Sequence, residues 1–97
     1  MSTDHRTAAQ ARITELIALL GQAPTAETAA LVSECQSLST AIAAFHMEGI
    51  RFRMYNVDRM IGRSGAALPA SVAAIVEQVR KHLEAAGFHT RSHQAPI

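Results

Sequence analysis

The chain of 97 residues has no tryptophan, one cysteine, three prolines, five glycines and a single lysine. Each shortage removes a class of protein. One thiol, Cys35, forbids an intrachain disulfide, so the chain is no disulfide scaffold and suits a reducing cytosol. No stretch of 18 uncharged apolar residues occurs, which argues against a membrane span. The first twenty residues carry Asp4, His5, Arg6, Arg12 and Glu15 and do not read as a signal peptide. There is no Cys-x-x-Cys-His, no Gly-Lys-Ser/Thr phosphate loop, no His-Glu-x-x-His and no Ser/His/Asp set. No catalytic residue, no metal ligand set and no cofactor is therefore expected, and the chain reads as a non-enzyme.

What the chain does have is alanine. Nineteen alanines stand beside a modest supply of large aliphatic residues, so a core has to come from closely spaced helices. Arginine outnumbers lysine eight to one, a composition associated with GC-rich bacterial genomes. Acidic residues outnumber basic ones over 1–48, and the excess reverses over 49–97, giving a weak charge dipole within a net charge of +1.

Apolar periodicity reads as an all-α fold of three helices at about 5–20, 26–61 and 69–86. Ala9, Ile13, Leu16, Ile17 and Leu20 form the first stripe, with Thr3 or Asp4 as cap and Gly21 at the end. Thr25 is placed to cap the second helix, with Glu27 in its positive first turn. From Ala26 to Pro69 there is no proline, and Gly49 is the one glycine before Gly62, so 26–61 reads as one helix of about 54 Å. It carries two stripes, Leu31-Cys35-Leu38-Ile42-Phe45 and Ala43-Met47-Ile50-Met54-Val57-Ile61, rotated by about a third of a turn. The last helix shows Val72, Ile75, Val76, Val79 and Leu83 inside, with Glu77–Lys81 and Arg80–Glu84 spaced as outward pairs. Gly87 closes it, Phe88 is placed to fold back on its last turn, and 88–97 reads as a weakly ordered tail after a single domain of 1–87.

A long helix covered at each end by one short helix leaves apolar surface over. The expectation is an antiparallel homodimeric bundle, with Ile42, Phe45, Gly49, Phe52 and Met60 at the interface. A break at Gly49 would instead give a compact four-helix chain, but no capping residue follows that glycine. His46 reads as a partly buried histidine bonded to a neighbouring polar group, and Cys35 as an inert buried thiol. His82, His89 and His93 lie near one end without acids or cysteines at ligand spacing.

The functional expectation is a small cytosolic helical protein that works by protein–protein contact, as a regulator, antiactivator, adaptor or small subunit, with itself and another protein as partners. The rival reading is a nucleic-acid-associated dimer using the run Arg51, Arg53, Arg59 and Arg63, where Phe52 and Tyr55 interleave for stacking. No tight-turn recognition helix accompanies that run.

Overall fold

The computed structural model describes residues 4–22, 24–64 and 68–88. The chain forms four helices, α1 (His5–Leu20), α2 (Ala26–Ala43), α3 (Met47–Ser64) and α4 (Ala70–Ala85), each antiparallel to the next in a compact bundle. Caps set the boundaries. The Asp4 carboxylate accepts the backbone N–H groups of Arg6 and Thr7 at 3.1 Å each. Thr25 and Thr28 exchange side chain-to-backbone bonds in a capping box at the start of α2. Beyond Ala85, the Phe88 N–H bonds to the Leu83 carbonyl at 2.9 Å and the Gly87 N–H to that of Glu84 at 3.0 Å, a Schellman closure with Gly87 at φ +99°. Phe88 is thereby buried. Of the expected weakly ordered tail over 88–97, Phe88 is thus docked, and 89–97 lie outside the described residues.

The expected 26–61 helix does not exist, and the argument for a homodimer that rested on it falls with it. The chain reverses at Ala44-Phe45-His46. The His46 N–H reaches back to the Ala41 carbonyl at 3.0 Å and the Phe45 N–H to that of Ile42 at 3.1 Å. This is a second Schellman closure, with Phe45 at φ +57° where glycine is usual. His46 then caps α3: its imidazole Nδ1 accepts the Gly49 N–H at 2.8 Å. The break is thus at Phe45 and not at Gly49. Gly49 serves the cap, because a Cβ there would lie 2.6 Å from His46 Nδ1.

The reversal also gives the two stripes their meaning. Leu31, Cys35, Leu38 and Ile42 from α2 and Ile50, Met54 and Val57 from α3 are all buried, facing one centre with Ala9, Ile13, Leu16 and Leu20 from α1 and Val72, Val76, Val79 and Leu83 from α4. Ile13, Leu16, Cys35, Leu38, Met54, Val57, Val76 and Val79 meet around a gap with no room for a water molecule. The stripe rotation that called for a second copy is absorbed by folding α3 back on α2. The closest packing is between α1 and α4 and between α2 and α3, whereas α3 and α4 touch least.

Polar groups fill the α3–α4 gap. Arg80, expected on the outer face, is 4% exposed and pairs with Asp58 of α3 and with Glu77 at 3.3 Å. Burial works against its charge, but the hydrogen bonds and charges of Asp58 and Glu77 outweigh that and raise its pKa above the ordinary arginine value. Between α2 and α3, Arg53 Nη1 donates to both oxygens of Glu34 at 3.3 and 3.1 Å, and Asn56 adds a bond of 3.1 Å.

Gly49→Ala tests the junction. In an ordinary helix interior this change stabilises by about 1 kcal/mol. Here it should destabilise by about that much, because the methyl displaces the capping imidazole. In a His46→Ala background the same change should turn stabilising, and urea denaturation of the four-protein cycle reads the reversal of sign. An equal gain in both backgrounds would show that His46 does not cap α3.

Candidate functional site

Three large apolar side chains stand exposed at or beside the α2–α3 corner: Phe45 at 63%, Met47 at 47% and Phe52 at 48%. Phe45 is the left-handed residue of the α2 closure, a conformation that costs about 1–2 kcal/mol for a side chain with a Cβ. Its ring is held from two sides. The Arg6 guanidinium of α1 lies 3.9 Å from the ring centroid, and the Phe88 ring sits 6.0 Å away at 42°. Arg6 also donates through Nη1 to the carbonyls of Ile42 at 3.3 Å and Ala43 at 3.2 Å. A cation thereby meets the Ala43 carbonyl and adds a second bond to that of Ile42, at the negative end of α2.

Beside this corner runs an open groove of about 490 Å³ along α2 and α3. Ser37, Thr40, Ala41 and Ala44 line one side, and His46, Gly49, Phe52 and Arg53 the other. The α2 residues recur at helical spacing and are short, so the two backbones leave space that Phe52 walls but does not fill. Arg53 is held there by Glu34, whose side chain is only 14% exposed. The groove therefore offers an apolar wall, a small-residue floor and an ion pair at its edge.

The residues that the sequence singled out for an interface separate here. Ile42 is fully buried in the chain's own core, and Met60 packs half-buried against that core. Gly49 is half-buried under the imidazole of His46. Phe45 and Phe52 stay exposed. The arginine run also divides. Arg51 pairs with Glu48 at 3.3 Å and Arg53 with Glu34. Arg59 stacks loosely near Tyr55, 6.0 Å from its ring centroid, and Arg63 is exposed in the last turn of α3. Arg59 and Arg63 are the two members of the run with no carboxylate partner among the described residues.

Sequence reading missed Arg6, His5 and Phe88 as parts of this end of the molecule. The only signal was indirect: residues 5–6 begin α1, and an antiparallel order places that end beside the close of α2 and α4. No set of three or more metal-ligating side chains occurs among the described residues, and none of their helices is long and apolar enough to cross a membrane. No protein-family model, curated protein or solved structure matches the chain.

The lone thiol does no surface chemistry. Cys35 is fully buried, and burial, aided by the charge of Glu34, pushes its pKa up from 9.0 to about 12. The unfolded thiol ionises near 9, and the folded one stays neutral until about 12. Stability from this site is therefore complete below pH 9 and is lost as pH rises toward 12. Cys35→Ala should remove that alkaline decline, measured as the change in unfolding free energy between pH 8 and about 10.5. In the parent, thiol-reagent labelling should follow global unfolding. Fast labelling of the native protein would show the side chain to be accessible.

Proposed function

We propose that the chain is a small cytoplasmic helical protein, without catalysis of its own, that acts by gripping another protein at the α2–α3 corner. The observation that carries this reading is Phe45. A phenylalanine occupies a left-handed position that glycine fills without strain, and it stays exposed. The contacts with Arg6 and Phe88 hold the ring without burying it, and strain of this kind collects at functional positions. With Phe52 and the groove beside it, Phe45 supplies the aromatic anchor and adjoining pocket typical of protein contacts. Regulator, adaptor and subunit roles all fit such a surface. The nucleic-acid reading keeps only Arg59 and Arg63 of its four cations, too few for strong phosphate binding.

The test separates folding from binding. Phe45→Gly removes the anchor and relieves the backbone strain together, so its unfolding free energy should stay within about 1 kcal/mol of the parent. Photo-cross-linkers at positions 45 and 52 in the native host should capture one common protein, and cross-linkers at the exposed positions Ala11 and Gln78 should not. The purified partner should then bind Phe45→Gly at least about tenfold more weakly than the parent. Equal binding of the two proteins would remove the corner as the contact. Capture of nucleic acid, lost on Arg59→Ala/Arg63→Ala, would replace this reading with its rival.

A further inference from the structure

His5 opens α1 and His82 lies in the last turn of α4, 77 residues apart in sequence. The fold brings their Nδ1 atoms to 3.0 Å, with ring centroids 5.2 Å apart and planes tilted by 33°. Both side chains are half-buried, so the pair borders solvent at the end of the bundle. The neighbouring charged groups are engaged elsewhere. The Asp4 carboxylate caps α1 and accepts the Thr7 hydroxyl at 2.7 Å, and the Arg6 guanidinium lies on Phe45 and the α2 carbonyls. One Nδ1–H can donate to the other Nδ1 across this distance. With that proton displaced, both nitrogens are near enough to ligate one cation.

We propose that His5 and His82 form a two-histidine site for a late first-row divalent cation, Cu(II) or Ni(II), that ties the first turn of α1 to the last turn of α4. The choice of metal follows from the ligand type. Imidazole nitrogen suits late first-row ions, and among these Cu(II) and Ni(II) stand highest in the affinity order. Nitrogens 3.0 Å apart are near enough to be neighbouring ligands of one ion with metal–nitrogen bonds of about 2.0–2.1 Å. Imidazole nitrogen also excludes Mg(II) and Ca(II), which take oxygen. No third ligand of the usual types joins the pair among the described residues, so water completes the coordination. The bound ion would brace the end of the bundle where Arg6 and Phe88 hold Phe45.

The experiment uses the untagged, chelator-stripped full chain. Titration with CuCl₂ or NiCl₂ in a calorimeter should show one equivalent bound, and thermal melts should rise with either metal, less with ZnCl₂ and not with MgCl₂ or CaCl₂. His5→Asn and His82→Asn should each weaken binding at least about tenfold, and the double variant should be no weaker than the singles, because either change destroys the chelate. Metal-free melting of each variant checks the fold. In the parent, without any substitution, Cu(II) should first broaden the amide signals around residues 5 and 82, and its electron paramagnetic resonance should show two nitrogen ligands. His89→Asn/His93→Asn should bind like the parent. Absence of binding, a hydrogen-bonded pair only, overturns the proposal. So does binding that survives His5→Asn and His82→Asn, or that disappears in His89→Asn/His93→Asn.

Discussion

The fold depends on three residues, Ala44, Phe45 and His46, that end one helix and begin the next without a loop. Along a continuous helix the apolar stripes of 31–42 and 50–57 would point in directions about 100° apart and lie end to end. No single chain of this length could cover both. Once Phe45 enters the left-handed region, the chain doubles back, and α2 and α3 turn their stripes to a common axis. α1 and α4 then close the remaining sides. The four-helix core is a consequence of that one reversal.

The reversal places strain where the sequence offers no glycine, and the surrounding contacts offset it. Two closing hydrogen bonds satisfy the end of α2, Arg6 adds two more from α1, and His46 supplies the cap for α3. Phe88, set by the closure of α4, packs on the same ring. All four helices therefore contribute to one corner, and the price of strain there is an aromatic side chain held in a fixed, exposed pose. That joins the stability of the fold to the surface on which the functional proposal rests. Elsewhere Arg80, the one buried charged residue among the described residues, bridges Asp58 and Glu77 in the seam between α3 and α4. Such a buried ion pair adds little net stability but is costly to break, so it fixes how the two helices sit.

Much of the architecture was legible. Asp4, Thr25 and Gly87 mark three boundaries by ordinary capping chemistry, and the stripes identify nearly every buried apolar residue. The junction was not legible, because a phenylalanine is a poor left-handed residue and a histidine an uncommon cap. The clue lay in the abrupt change of stripe direction, which has two solutions: a second copy of the chain or a turn. Gly49 drew attention as a breaker, whereas its role is to leave room for the imidazole three residues before it. Arg80 was misplaced for a similar reason. Its spacing to Glu84 suggested a surface pair, but it neighbours Val79 and lies one turn beyond Val76, and Asp58 faces it from α3. Of the corner, Phe45 and Phe52 could be seen as unusual in the sequence, but Arg6, His5 and Phe88 join it only through the antiparallel return of the chain.

The reversal itself can be measured by pulsed electron–electron resonance between spin labels at Ala30 and Arg63, both exposed, in a Cys35→Ala background. The labelled protein is diluted with unlabelled chains so that only distances within one molecule are read. In a continuous helix the two sites, 33 residues apart, would be separated by about 50 Å. Neighbouring antiparallel helices have axes about 8–10 Å apart, so a reversal at Phe45 predicts a narrow distribution centred below about 30 Å once label length is included. A distribution centred near 50 Å would contradict the four-helix fold and, with it, the exposed corner.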